Sequence, residues 1–108
     1  MNWTVLILNA VVEAELNSLP ADMRARFARI VNLIEAHGLE RVGMPYVRRL
    51  HEKLWEMRIR GRDGIARALY VTATGRRVIV LRVFVKKTEK APAREIQLAL
   101  ERAREIVR

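Results

Sequence analysis

The stretch Leu54-Trp55-Glu56-Met57-Arg58-Ile59-Arg60 alternates strictly between apolar and charged side chains from Trp55 onward. Successive side chains of a β-strand point to opposite faces, so the apolar residues Trp55, Met57 and Ile59 share one face. The charged residues share the other. The sequence therefore predicts a half-buried strand that carries a charged face.

Two further strands and a helix follow this strand. Residues 61–64 suit a turn, and residues 65–72 and 77–86 are rich in apolar and β-branched types on either side of a second turn. These segments predict a three-stranded antiparallel meander. From Pro92 the apolar pattern changes to a period of 3.6, which predicts a closing amphipathic helix.

The N-terminal part predicts one strand and two helices. Residues 3–8 are apolar and β-branched, as in a short strand, and Asn9 can cap a helix over residues 10–18. Pro20 can lie in the first turn of a second helix. Gly38 can end that helix in a left-handed conformation.

The segments combine into a predicted α+β fold of element order β-α-α-β-β-β-α. Residues 39–50 are interpreted as a loop with a basic tail. The predicted sheet is antiparallel, with two N-terminal helices and a C-terminal helix, and we expect it to leave its charged face available. A chain of 108 residues fits one domain over residues 1–108.

The positive charge of the chain is concentrated in its middle. The chain has 21 Lys plus Arg against 12 Asp plus Glu, a formal net charge of +9. Residues 41–90 hold fourteen Lys or Arg and four acids, a net +10, whereas residues 1–40 carry −2. Such an excess favours a polyanion or an acidic protein as partner.

Composition also argues against several classes of protein. The chain has no cysteine and only two histidines, His37 and His51, so we expect neither a metal site nor a cofactor. The apolar N-terminal stretch lacks preceding positive charges and is shorter than the roughly 20 residues that span a bilayer. We therefore expect a cytoplasmic protein with no membrane partner.

The charged face of the predicted meander is a candidate phosphodiester site. Arg and Lys side chains fixed on neighbouring strands can stabilise the charge of a pentavalent phosphate without a metal. Glu56 is a candidate general base, and Lys86 or Lys87 could donate a proton if neighbouring cations lowered its pKa. Tyr70 could either cap the core edge or stack on a base.

The order and spacing of several motifs resemble the HigB-like, phage-derived branch of the RelE/ParE toxin superfamily. The motifs are Leu54-Trp55-Glu56-Met57-Arg58, Gly64 with Arg67-x-x-Tyr70, Phe84-x-Lys86-Lys87-Thr88, and a helix after Ala91-Pro92 with Glu95 and Ala99-x-x-Arg102. The resemblance runs from about residue 16 to residue 107. It implies the same α+β fold that the residue patterns predict.

The resemblance also implies a function: the toxin of a type II toxin–antitoxin module, a ribosome-dependent mRNA endoribonuclease, or mRNA interferase. Its expected partners are mRNA, the ribosome with its rRNA, and a HigA-like helix-turn-helix antitoxin in a higher-order hetero-oligomer. Arg58, Arg67, Lys86 and Lys87 match the functional basic positions of the family, and Glu56 joins them as our own inference. Residues 89–93 contain no tyrosine or histidine, in contrast to many relatives.

A wider set of residues is predicted to bind RNA around these catalytic candidates. These residues are Arg48, Arg49, Lys53, Arg60, Tyr70, Arg82 and Lys90. Two other functions stay open: a ParE-like inhibitor of gyrase, and a non-catalytic nucleic-acid-binding or regulatory module.

Overall fold

The computed structural model describes residues 2–42, 47–51, 53–86 and 92–106. Its helices and strands follow the chain as β1 (Thr4–Ile7), α1 (Ala10–Asn17), α2 (Ala21–His37), a 3-10 turn (Leu39–Arg41), β2 (Val47–Arg49), β3 (Trp55–Gly61), β4 (Gly64–Ala73), β5 (Arg77–Lys86) and α3 (Ala93–Ala103). Within these described ranges, no helix is both long and apolar enough to cross a bilayer.

The strands form one five-stranded sheet in the spatial order β1-β5-β4-β3-β2. β2, β3, β4 and β5 pair as antiparallel neighbours, and β1 pairs with β5 in parallel. The predicted α+β class, the two N-terminal helices, the meander and the closing helix are confirmed.

Two features of the sheet correct the prediction. The basic tail of the expected loop contains β2, which pairs Arg48 with Glu56 at the sheet edge. Three residues are too few for a recognisable alternation, so this strand has no clear sequence signal. The sheet is also mixed rather than antiparallel, because β1 lies beside β5, a partner more than sixty residues away that local patterns cannot identify.

The main core lies between one face of the sheet and the helices α1 and α2. Val12, Phe27 and Ile30 of the helices are buried in one cluster with Met57 and Ile59 of β3. The apolar face predicted for β3 is thus the face that the helices cover. Burial of such side chains stabilises a fold by about 1.5–3 kcal/mol each.

The opposite face is covered over part of its area, which corrects the expectation of an open face. Leu69, Ile79 and Leu81 of the sheet form a second buried cluster with Ala99 of α3. The amphipathic stripe of α3 requires an apolar surface, and this end of the sheet provides it. The polar remainder of this face, toward the β3–β4 turn, contains the predicted site.

Local contacts fix the ends of several elements. The Asn9 side chain accepts a hydrogen bond of 3.1 Å from the Val12 N–H, which confirms the predicted cap of α1. Gly38 follows α2 with a φ of 88°, as expected for a glycine at this position. Asp22 at the start of α2 accepts a 2.6 Å hydrogen bond from the Arg62 N–H, which anchors the β3–β4 turn. This bond lowers the pKa of Asp22.

Candidate nucleic-acid interface

One face of the sheet carries the predicted charged residues in rows that cross the strands. Three rows of paired residues lie on it: Arg48, Glu56, Leu69 and Arg82; then Arg58, Arg67 and Phe84; then Arg60, Ile65 and Lys86. Directly opposite residues on one face have Cβ atoms about 4.5–5.5 Å apart. We call the charged group made of Arg48, Glu56, Arg58, Arg60, Arg67 and Lys86 the basic face.

Glu56 lies at the buried centre of the basic face. Its side chain has no solvent exposure, and its Oε1 accepts a 3.1 Å hydrogen bond from Nη1 of Arg67. Nε of Arg48 lies 3.5 Å from the same oxygen. The ion pair offsets the large cost of burying both the carboxylate and the Arg67 guanidinium. Oε2 of Glu56 has no hydrogen-bond partner among the described residues.

Lys86 ends β5 on the same face and is only 7% exposed. Its Nζ is buried and has no hydrogen-bond partner within the part of the chain that the structure describes. Burial lowers the pKa of Lys86, and the positive charges of Arg67, Arg48 and Arg58 lower it further, against the opposing effect of Glu56. A lysine with a lowered pKa is better matched to proton transfer near neutral pH.

Three arginines make up the more accessible part of the basic face. Arg60 is exposed, Arg58 is half-buried, and the Arg48 side chain is 44% exposed. Arg58 lies directly beside the buried Arg67 on the next strand. A phosphate approaching from solvent would therefore meet Arg58 and Arg60 first. The other two cations, Arg67 and Lys86, are buried.

The structure removes Tyr70 from the predicted RNA-binding set. Tyr70 pairs with Trp55 on the apolar face and is completely buried in the main core. Burial raises the pKa of its hydroxyl. Of the two roles left open by the sequence, the core role is therefore the one observed, and the ring is not accessible for stacking.

Arg82 is on the predicted face but is engaged in a network of ion pairs. It donates to both carboxylate oxygens of Glu95 at 2.8 and 3.0 Å and lies 2.9 Å from Glu15. Arg102 contacts Glu15 at 2.8 Å. The hydrogen bond to Glu95 raises the pKa of Arg82. Arg82 thus joins β5 to α1 and α3, and its contact with RNA stays a prediction.

Other predicted residues lie away from the basic face or outside the described ranges. Arg49 alternates to the opposite face, and its Nε donates to the His51 carbonyl at 3.3 Å. Lys53 lines a separate cleft of about 690 Å³ beside the end of α3, which shares no residue with the basic face. Lys87 and Lys90 lie outside the residues that the structure describes.

Sequence reasoning assigned no role to Phe84, which the structure brings to the site. Phe84 is half-buried, pairs directly with Arg67, and has the Arg82 guanidinium 5.5 Å from its ring centroid. The alternation of Arg82, Phe84 and Lys86 along β5 was a signal for this placement, since residues two apart share a face.

The chemistry available to the basic face is that of charged side chains. In the described ranges, no three His, Asp or Glu side chains come together as metal ligands. Arg58 and Arg67 can contact a phosphate with planar guanidinium groups, which recognise two oxygens at once. Lys86 adds a buried amine of lowered pKa. Together these groups can bind a phosphodiester and stabilise charge that develops on it.

Comparisons with known proteins give one family and one fold. The family model described as "Phage derived protein Gp49-like (DUF891)" matches residues 14–104. A chain from the crystal structure of the archaeal RelE-RelB complex of Pyrococcus horikoshii OT3 is 23% identical, with a TM-score of 0.58, over 81% of this chain and 98% of that one.

A free-state mutant of the E. coli toxin RelE is similar over 94% of this chain and 98% of its own. It is 14% identical and has a TM-score of 0.66. No curated protein matches the sequence. The likeness to both solved structures confirms the fold that the RelE/ParE resemblance implied.

Proposed function

The chain belongs to the family of phage-derived Gp49-like proteins, and from this membership we propose that it is the toxin of a type II toxin–antitoxin module. Its proposed activity is ribosome-dependent, metal-free cleavage of mRNA in the cytoplasm. The HigB-like branch of the superfamily remains the proposed placement.

The observation that supports this activity is the concentration of Arg58, Arg67 and Lys86 on adjacent strands. Attack of a ribose 2′-hydroxyl on the neighbouring phosphate releases the hydroxyl proton to water and creates a pentavalent group with additional negative charge. The P–O5′ bond then breaks, which leaves a 2′,3′-cyclic phosphate and a 5′-oxygen that takes up a proton. Fixed guanidinium groups stabilise that charge more than they stabilise the starting phosphodiester, and such differential binding accelerates the reaction.

We assign proton donation to Lys86. Its pKa is lowered toward neutral pH, so its ammonium group can release a proton to the departing 5′-oxygen more readily than an ordinary lysine. Lys87 and Lys90 remain candidate contacts to RNA. The ribosome would hold the mRNA in the geometry required for attack, which the small protein alone does not impose.

The proposed partner besides RNA is a HigA-like helix-turn-helix antitoxin. One structural neighbour comes from a RelE-RelB complex, which supports a protein partner for this fold. We expect the antitoxin to present acidic residues to Arg58, Arg60 and Arg48, because charge complementarity guides such association. A higher-order hetero-oligomer of the two proteins is part of the proposal.

The test is to map new 5′ ends of mRNA shortly after the chain is induced in bacteria. We expect cleavage within translated regions and growth arrest that co-expressed antitoxin relieves. Arg58→Ala and Lys86→Met should abolish both effects. Arg24→Ala, on an exposed position of α2, is the matched control and should stay toxic.

Two other results would contradict the proposal. A DNA-damage response before any mRNA cleavage would indicate a gyrase inhibitor of the ParE type. RNA binding that leaves mRNA intact on translating ribosomes would indicate a non-catalytic binding module.

A further inference from the structure

We propose that Glu56 is a positioning residue, which holds the Arg67 guanidinium for the phosphate and does not itself accept the proton of the attacking hydroxyl. This inference rests on the proposed mRNA cleavage and concerns the same site. It changes the role of Glu56 from the candidate base that the sequence suggested.

The two arginine contacts of the Glu56 carboxylate are the first argument. A general base must come within about 2.6–3.2 Å of the proton-bearing atom, directly or through one water molecule. Glu56 has no solvent exposure, and both Arg67 and Arg48 lie against its Oε1. A substrate hydroxyl that approached Oε1 would have to displace these two guanidinium groups.

The neighbourhood of Arg67 is the second argument. Arg67 is 3% exposed and lies directly opposite Arg58, a second positive charge on the next strand. Like charges that face each other across strands are destabilising. The Glu56 carboxylate compensates for this repulsion and fixes one Nη1 hydrogen bond of Arg67. The planar guanidinium thereby acquires one orientation.

The position of Lys86 provides the measurable consequence. Among the described residues, the charged groups that act on Lys86 are Arg67 on β4, Arg58 and Glu56 on β3, and Arg48 on β2. Among these, only the Glu56 carboxylate raises the pKa of Lys86. Neutralising Glu56 must therefore lower the pKa of Lys86 further, even though Glu56 takes no part in proton transfer.

The experiment compares wild type, Glu56→Gln, Arg67→Gln and the double variant in single-turnover mRNA cleavage on ribosomes, from pH 5 to 9.5. We expect Glu56→Gln to keep cleavage within about tenfold of wild type at the optimum, because the amide oxygen still accepts from Arg67. The decline in rate at high pH should shift to lower pH. Arg67→Gln should lose about 100-fold, and adding Glu56→Gln to it should change the rate by less than threefold when each protein is compared at its own pH optimum.

The inference is overturned if Glu56→Gln alone loses 100-fold or more at every pH, as expected for a missing base. It is also overturned if the losses measured at the pH optimum of each protein multiply in the double variant. Glu56→Gln could fail to fold, which thermal unfolding would show. In that case the comparison of Arg67→Gln with the double variant still tests the inference. That double variant removes both buried charges together, so neither is left unpaired.

Affinity for a single-stranded RNA oligonucleotide separates this inference from the proposed function. If wild type cleaves no mRNA, the proposed function fails and the same four proteins are compared by RNA binding alone. A Glu56→Gln effect on affinity that disappears in the Arg67→Gln background supports positioning. An effect of equal size in both backgrounds overturns it.

Discussion

Lys86 is the residue at which burial and charge conflict most directly in the described part of the chain. Its amine is nearly inaccessible, has no hydrogen-bond partner among the described residues, and is close enough to three arginines for their charges to lower its pKa. A buried polar group without a partner destabilises a fold by about 1–3 kcal/mol. Such a group is typical of functional sites, where stability is sacrificed for reactivity.

Lys86→Met should therefore raise the free energy of unfolding by about 1 kcal/mol at neutral pH while it abolishes toxicity. The gain should shrink as pH rises. The pKa of Lys86 is lower in the folded state, so the unfolded chain binds more protons between the two pKa values, and wild-type stability increases there. The destabilisation caused by Lys86 is complete below the pKa that Lys86 has in the folded state. It has disappeared above the ordinary lysine pKa of 10.5.

The measurement is urea unfolding of wild type and Lys86→Met at several pH values between 6 and 10.5. Taking the difference between the two proteins at each pH removes contributions from other titrating groups. A difference that stays constant with pH would show that Lys86 has the same pKa in the folded and unfolded states.

At the scale of elements, α3 is tied to the rest of the fold by charge as well as by its apolar stripe. Arg82 lies between Glu95 of α3 and Glu15 of α1, and Arg102 extends the network back to Glu15. The network is partly shielded from solvent, and its bonds are between charged groups. Hydrogen bonds to charged groups stabilise a protein by about 1.5–3 kcal/mol each.

Arg82→Met should lower the free energy of unfolding by about 2–3 kcal/mol, because it leaves Glu95 and Glu15 partly buried without this cation. Arg94→Met, on an exposed position of α3, should change the free energy of unfolding by less than about 0.5 kcal/mol. Thermal and urea unfolding measure both variants. Equal stability of Arg82→Met and wild type would mean that α3 is held by apolar packing alone.

At the scale of the whole molecule, positive charge is present on both sides of the sheet but is arranged differently. The basic face joins cations from four strands, whereas Arg24 and Arg26 stand exposed on α2, which packs on the opposite face. Fixed cations on one surface can contact successive phosphates. Exposed cations on another layer contribute only to the long-range field, which salt screens.

The salt dependence of RNA binding should therefore distinguish the two surfaces. Each lost phosphate contact with a single strand reduces the slope of log affinity against log salt by about 0.7. Arg58→Ala with Arg60→Ala should reduce it by about 1.4, and Arg24→Ala with Arg26→Ala should leave it unchanged. Fluorescence titrations from 50 to 300 mM salt measure the slopes. Equal reductions in the two double variants would contradict a localised RNA surface.

The sequence alone was sufficient to identify the three helices, β1 and the meander strands β3 to β5, but not β2. The alternation in β3 predicted which residues enter the main core, and the change of period after Pro92 predicted α3. The concentration of charge between residues 41 and 90 predicted the strands on which cations gather. These inferences succeed because backbone geometry imposes a period on every strand and helix.

What covers each face was decided only by the tertiary structure. Glu56 is buried beside its partner on β2, and Tyr70 is buried in the main core. Arg82 forms ion pairs with Glu15 of α1 and Glu95 of α3. A period indicates the direction of a side chain but not the element that packs against it. That element can lie many residues away, so burial, and with it the division between reactive and structural charges, depends on the assembled fold.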